Sequence, residues 1–339
     1  HTLQLDNAHI PHTEQHEQVV QALGQKSPEG NNVRVISDDD GSSIRRQTLK
    51  RLRESGIECF PYMPVVFSRF AHKANFRNHR KIAVIDNEVG FVGGININDK
   101  YINPSKTGLY WRDTHIMIKG EAVIDLQYLF ISDWYFVSGQ KVDLDEVRYL
   151  NRSNIRGQVP TSILGSDYGK NNQTIKEAFL GMIMSAQKEV LITTPYFVPD
   201  DSIFNALMIA AKSGIRVTII LPEKPDSKTA FFASQTYFKQ LLKSGVAVHY
   251  YTKGMMHSKV MIIDGAVCTV GSTNMDQRSF NLNAEVNAFM LSEAIASKLR
   301  SNFQTDLKDS YPLTLEILRN RKWYVKVVCS IARLLAPIL

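Results

Sequence analysis

The sequence predicts an α/β architecture made of two similar halves, and three observations carry that prediction. The block His79-Arg-Lys81-Ile-Ala-Val-Ile-Asp86, followed after six residues by Gly93-Gly94-Ile-Asn96, recurs as His257-Ser-Lys259-Val-Met-Ile-Ile-Asp264 and Gly271-Ser272-Thr-Asn274. A long-period repeat of this kind sets the architecture before any single element is read. The segments ahead of both copies then follow the same order of strand, helix and strand. Finally, the strands are runs of β-branched residues alternating with helical patterns, which indicates one sheet per half. Two such halves pair about a pseudo-twofold axis.

In the first half, Val33 to Ile36 and Gly56 to Tyr62 read as strands on either side of a helix at Arg46 to Arg53. The second half opens with a helix at Thr174 to Ser185, a strand at Glu189 to Thr194, the turn Pro195-Tyr196-Phe197 and a helix at Ser202 to Lys212. Strand Ile215 to Leu221, helix Gln235 to Lys243 and strand Gly245 to Tyr251 follow. Ahead of Val33 the sequence offers only a polar, solvated stretch containing His1, His9, His12 and His16. The first half therefore lacks a counterpart of the opening unit, and residues are expected to be missing before Val33. The expected divisions are 1–155 and 156–310, one motif in each, with 311–339 a basic amphipathic helical segment.

With 339 residues and 44% hydrophobic content, the chain can bury a core large enough for about two domains. A formal charge of +7 favours polyanionic partners, either nucleic acid or anionic lipid headgroups. Cys59, Cys268 and Cys329 lack any CxxC spacing, which argues against a disulfide framework or a zinc site and fits a reducing compartment. No apolar run reaches the roughly 20 residues of a spanning helix, and no signal peptide opens the chain. Gly165 to Lys170 is one residue short of a P-loop, and no dinucleotide fingerprint occurs.

Cleaving a phosphodiester needs a nucleophile, a proton donor for the leaving alkoxide, and cations for the phosphoryl oxygens. Strand alternation places His79 beside Lys81 and His257 beside Lys259 on one face. Two facing H-x-K units supply all three functions without a metal or cofactor; a lysine within the motif is a poor ligand and opposes a cation. One imidazole attacks phosphorus and the other handles protons. Lys81 and Lys259 hold the non-bridging oxygens, aided by Asn96, Asn274 and Ser272. An attacking histidine needs a carboxylate on its second ring nitrogen, for which Asp113 and Glu285 are the candidates. Asp86 and Asp264 complete the motif but end their strands, which suits turn anchors.

The duplicated motif resembles the phospholipase D superfamily over nearly the whole chain. Asn78 to Asp86, Gly93 to Ile97, Trp111-Arg-Asp113, Asp133-Trp134, Thr194 to Asp200 and Arg278 to Glu285 are similar to its bacterial cardiolipin synthase branch. The resemblance implies two phospholipase D-type sandwich halves, each a mixed β-sheet flanked by helices. It also implies condensation of two phosphatidylglycerols into cardiolipin and glycerol through a phosphatidyl-histidine, with His79 the nucleophile and His257 the general acid and base. Members of the branch carry two N-terminal membrane helices that this sequence lacks; the expected location is the cytoplasmic face of the cell membrane.

Leu315, Leu318, Val325, Val328, Ile331 and Leu335 recur at near-helical spacing among Arg319, Arg321, Lys322, Lys326 and Arg333, beside Trp323. Such a helix suits an anionic membrane surface, or else packs on the domain. Phe231-Phe232 and Met255-Met256 could line an acyl channel, with core packing the default. The competing functions are a phosphodiesterase or nuclease using water, and a non-catalytic scaffold. Aromatic and basic residues are not regularly interleaved as in a single-strand channel, so nucleic acid is not the expected partner, and both intact motifs argue against a scaffold.

Overall fold

The structure, a computed structural model, describes residues 2–7, 18, 21–23, 32–38, 50, 52–62, 76–103, 109–142, 157–167 and 173–336. His1, His9, His12, His16 and most of the helix expected at Arg46 to Arg53 lie outside the described residues. In chain order the first half contains β1 (Thr2–Asn7), β2 (Asn32–Asp38), β3 (Glu58–Tyr62), β4 (Arg77–Asn78), β5 (Lys81–Ile85), β6 (Val89–Gly93), β7 (Tyr110–Arg112), β8 (His115–Lys119) and α1 (Ala122–Ser138). There follow β9 (Thr161–Ser166), α2 (Thr174–Ser185), β10 (Glu189–Thr193), β11 (Phe197–Val198), α3 (Asp201–Lys212), β12 (Arg216–Pro222), α4 (Lys228–Lys243) and β13 (Ala247–Tyr251). The chain continues through β14 (Gly254–Met256), β15 (Val260–Ile263), β16 (Val267–Gly271), β17 (Met275–Asp276), α5 (Gln277–Asn281), β18 (Asn283–Leu291), α6 (Glu293–Lys308), β19 (Ser310–Pro312), α7 (Leu315–Arg319) and α8 (Trp323–Leu334).

The two main sheets share one topology. The first has the order β3-β2-β1-β5-β6-β8, and the second contains β13-β12-β10-β15-β16-β18 in the matching places, extended by β19, β9 and β4. Registers agree as well: Gly93 faces His115 across β6 and β8, as Gly271 faces Asn287 across β16 and β18. A side chain on either glycine would collide with that neighbouring strand, with Thr114 O 2.5 Å from a Cβ at Gly93 and Val286 O 2.4 Å from one at Gly271. The glycine of the motif is thus a close-approach requirement.

This match corrects the expectation about the first half. Its opening strand exists: β1 pairs parallel with β2 and antiparallel with β5, as β10 does with β12 and β15. Thr-Leu-Gln-Leu-Asp-Asn alternates polar and apolar residues, so it lacks the continuous apolar run that identified β10. The difference is what each strand buries, for the buried residues of β1 are the polar Gln4 and Asp6. Strands β10 and β12 are covered on both faces: Ile192 and Ile219 join the core beneath α2, α3 and α4, while Leu191 and Ile220 join the core beneath α6. Parallel strands covered on both faces read as unbroken apolar runs.

A third cluster, Ile82, Val84, Val92, Val123 and Leu126 with Ile163, Val286 and Ala288, ties the halves together. Burying such side chains contributes about 1.5–3 kcal/mol each, so the relation between the halves is set by core packing. Two helical expectations also change. Helix α4 starts seven residues before Gln235, because Ser227 caps it by accepting from Ala230 N. The C-terminal segment forms two helices, α7 and α8, separated by 320–322. Phe231 and Phe232 pack against the core, and Met255 and Met256 are fully buried, as in core packing. Among the described residues no helix is long and apolar enough to cross a membrane.

Candidate active site

The H-x-K segments depart from simple strand alternation. His79 and Arg80 lie between β4 and β5, and His257 to Lys259 lie between β14 and β15. The short strands before them belong to the opposite half: β4 pairs with β18, and β14 pairs with β7. Each histidine is therefore carried across to a strand of the other half. The backbone N–H of His79 donates to Ala284 O at 2.8 Å, and that of His257 donates to Arg112 O, also at 2.8 Å.

Those acceptors immediately precede Glu285 and Asp113, the two candidate carboxylates. His79 Nδ1 lies 2.9 Å from both oxygens of Glu285, and His257 Nδ1 lies 2.7 Å from Asp113 Oδ2. Each half thus orients the other half's histidine, a reciprocity that expresses a twofold relation. Ser272 Oγ donates to Glu285 Oε2 at 2.5 Å, and Asn283 Nδ2 donates to its Oε1. At the position equivalent to Ser272 stands Gly94, where a Cβ would fall 2.2 Å from Asp113 Oδ1.

Charge fixes the tautomers. Burial works against both carboxylates, yet Lys259 and His257 hold Asp113 below the ordinary range, and His79 and Lys81 do so for Glu285. Ionised carboxylates only accept, so His79 carries its proton on Nδ1 and a lone pair on Nε2; His257 Nδ1 faces Asp113 in the same way, with Lys259 Nζ 2.8 Å from that nitrogen and 3.2 Å from Nε2. Burial, reinforced by the lysines, lowers the His79 pKa and brings that of His257 to about 4, against the pull of their carboxylates. Both imidazoles are neutral near pH 7. Lys81 and Lys259 are buried and donate to the carbonyls of their own histidines, at 2.7 and 2.5 Å. Burial brings their pKa values down to about 7 and about 8.

Comparison with known proteins identifies the family. The family described as cardiolipin synthase, PLD-like domain, matches residues 3–134 and 179–307. A cardiolipin synthase of Geobacillus sp. (strain WCH70) is 41% identical over 340 residues, covering 100% of this chain and 68% of its own length. Cardiolipin synthase 2 of Bacillus anthracis is 42% identical over 320 residues, covering 94% and 62%. The chain belongs to the phospholipase D superfamily, in its bacterial cardiolipin synthase branch. Among solved structures, phosphatidylserine synthase of Haemophilus influenzae Rd KW20 superposes with a TM-score of 0.76 at 16% identity, covering 100% of this chain and 90% of that one. That likeness concerns the fold.

Both histidines of this phospholipase D-type site line one cavity of about 320 Å³. Arg77, Lys100 and Arg278 line it as cations, and Asp38 and Asp226 as carboxylates. Lys81 and Lys259 are buried behind the wall, each donating to the carbonyl of its own histidine. Asn96 lines the wall and donates to Tyr101 Oη at 3.0 Å; Asn274 stands behind it, beside Asp276. Tyr101 and Trp111 flank the His257 ring with centroids 5.6 and 5.3 Å away. His257 is accordingly enclosed, with 8% of its side chain exposed against 23% for His79.

Asp86 and Asp264 are not brought to this site. Both adopt left-handed backbone, φ 53°, a conformation that aspartate tolerates. The Asp264 carboxylate accepts the backbone N–H groups of Gln187, Lys188 and Glu189 at 2.7–2.8 Å. It pins the entry to β10 at the far end of β15. Sequence reasoning missed Tyr101, Arg77, Lys100, Asp38 and Asp226, which belong to neither motif copy. Tyr101 sits in a short 3-10 turn, Asp99–Ile102, capped by Asn98, and nothing in its spacing marks it. Asp133 has a visible role: with Asp167 it pairs the buried Arg80, whose Nε donates to Glu285 O.

Proposed function

We propose that this protein is a cardiolipin synthase, a phosphatidyltransferase that joins two phosphatidylglycerols into cardiolipin and glycerol through a phosphatidyl-His79 intermediate. The observation that carries the reading is the reciprocal carboxylate exchange, which sets two neutral imidazoles in a single cavity, His79 with its Nε2 open to it and His257 with its ring between Asp113 and Lys259. Charge suits a phosphodiester monoanion. With both histidines neutral and Lys81 and Lys259 kept charged by the bound phosphate, the five cations in and beneath the wall exceed the four carboxylates by one.

His79 Nε2, the more accessible, attacks phosphorus, and the phosphorus–oxygen bond to the glycerol headgroup breaks. His257 supplies the proton to that oxygen, having taken it up as the phosphate anion enters, because a nearby negative charge raises an imidazole pKa. The hydroxyl of a second phosphatidylglycerol then loses its proton to His257 and attacks phosphorus. The bond to His79 breaks and that ring is neutral again, while His257, protonated by the acceptor hydroxyl, gives the proton back to solvent as the product phosphate leaves. Lys81 and Lys259 stabilise the charge that develops on the phosphoryl oxygens. Asp38 and Asp226 offer acceptors for glycerol hydroxyls. The enzyme works at the cytoplasmic face of the cell membrane, where its substrate lies.

The test is lipid mass spectrometry after incubation with phosphatidylglycerol vesicles, beside His79→Ala and His257→Ala. Cardiolipin and glycerol formed only by the unsubstituted protein support the reading. Phosphatidic acid as the main product would make water the acceptor and overturn it.

A further inference from the structure

Between α4, α7 and α8 lies a cavity of about 440 Å³ that the catalytic reading does not use. Its charged wall is Lys239, Lys243, Arg319, Arg321 and Lys326, with Gln235 and Thr236 beside them, and no carboxylate lines it. Among the described residues none of the five forms an ion pair. Leu315 and Leu318 give it an apolar side. Asp226, just before α4, lines the catalytic cavity, whereas Lys239 and Lys243 lie about 20 and 25 Å further along the helix direction. The two cavities are separate.

Helix α8 supplies a second, independent observation. It packs on α4 through Cys329 and Ala332, and Arg333 stacks over the Tyr237 ring at 3.8 Å while donating to Thr236 Oγ1. The opposite face is apolar and open: Trp323 is 76% exposed, Ile331 58% and Leu334 79%. Val327 lies in the same stripe at the i, i+4, i+8 spacing of one helix face. An exposed apolar stripe with an aromatic at its end and unpaired cations beside it fits an anionic bilayer surface.

We propose that this cavity is a second, non-catalytic site that binds the phosphodiester headgroup of an anionic phospholipid, taken from the bilayer on which the outer face of α8 lies. Five cations with no carboxylate partner complement a headgroup phosphate, and Leu315 and Leu318 border the start of its acyl chains; Lys326 Nζ donates meanwhile to Arg319 O at 3.2 Å. The site holds the enzyme on the anionic surface independently of turnover.

The test measures partitioning of the whole chain to phosphatidylcholine vesicles containing phosphatidylglycerol, by sedimentation and by Trp323 emission, taken as the difference from Trp323→Phe because Trp111 and Trp134 also emit. His79→Ala binds like the unsubstituted protein. Lys243→Gln with Lys326→Gln loses about 25-fold, at about fivefold per charge, and its Trp323 emission stays red-shifted. Lys119→Gln with Lys188→Gln, exposed positions elsewhere, stays within twofold. Equal losses for the two pairs would mean diffuse charge attraction and overturn the site, as would no loss for the cavity pair. Release from vesicles by glycerol 3-phosphate at equal phosphate concentration would assign the cavity to soluble phosphate and overturn the lipid source. Should the protein make no cardiolipin while the cavity pair still loses binding, this inference stands and the proposed function falls.

Discussion

His79 Nδ1 stands 2.9 Å from both carboxylate oxygens of Glu285, a residue of the other half. Neither half can present a correctly oriented histidine alone. Replacing Glu285 by Gln removes the charge that fixes the Nδ1–H tautomer, and His79 then samples the form with its proton on Nε2. The expected loss in kcat is about 10²–10⁴-fold with KM changed little, by analogy with removal of the aspartate charge from a catalytic triad. Steady-state transfer kinetics check this; a loss under tenfold would mean that the carboxylate is not what orients the ring.

Gly94 gives a steric version of the same argument for the second histidine. A Cβ there meets Asp113 Oδ1 at 2.2 Å, so Gly94→Ser, although it copies Ser272 of the other half, pushes Asp113 off His257. Activity is expected to fall at least tenfold while the chain still folds, as read by circular dichroism and turnover together. Full activity in Gly94→Ser would show that Asp113 has room to move.

The pH dependence follows from the two kinds of base. His79 has a pKa below the usual 6.5, so it stays neutral into mildly acid solution and activity fails only as pH drops through that lowered value. Lys81 and Lys259 lose charge near 7 and 8 in the free enzyme. Hence kcat/KM falls as pH rises through that range. The kcat profile has its alkaline limb at higher pH, because bound phosphate stabilises both ammonium groups. A kcat/KM profile still rising at pH 9 would contradict the lysine assignment.

Asp264 carries stability instead of chemistry. Its carboxylate accepts three backbone N–H groups and its pKa is lowered by them, burial opposing. The folded pKa lies below the unfolded one, so this stabilisation is complete above the unfolded value near 4 and is lost as pH falls through the folded value. Asp264→Ala is expected to cost about 1–3 kcal/mol in urea unfolding with kcat changed less than threefold. A large fall in kcat at unchanged stability would return Asp264 to the catalytic set.

The legibility of the site in the sequence tracks repetition. His79, Lys81, His257, Lys259 and the glycines recur in register, so their importance could be read directly. Asp113 and Glu285 could be nominated by residue type, but which histidine each serves could not, because the exchange between halves depends on β4 and β14, strands of two and three residues. Strand β1 was invisible for a physical reason: Gln4 and Asp6 are polar yet buried, and Asp6 accepts from Asn78 Nδ2. Burial of a hydrogen-bonded polar residue leaves no hydrophobic signature. Cavity-wall residues such as Tyr101 and Asp226 come from turns outside the repeat, where spacing carries no information.

Assignment of the nucleophile can be tested by making the proton donor dispensable. His257 is enclosed by Tyr101 and Trp111, whereas His79 faces the cavity with three times the exposure, so His79 is the ring that can reach phosphorus. In phosphatidyl-p-nitrophenol the leaving group is a stabilised phenolate that departs without a proton. His257→Ala is then expected to release about one nitrophenolate per protein in a burst and stall, since no base remains to activate the acceptor hydroxyl. Intact mass would show one added phosphatidyl group, and peptide mapping would place it on His79. His79→Ala gives no burst. If the burst and the adduct appear in His79→Ala and are absent from His257→Ala, the roles are reversed, and His257, with its ring held by Asp113, is the residue that carries the lipid.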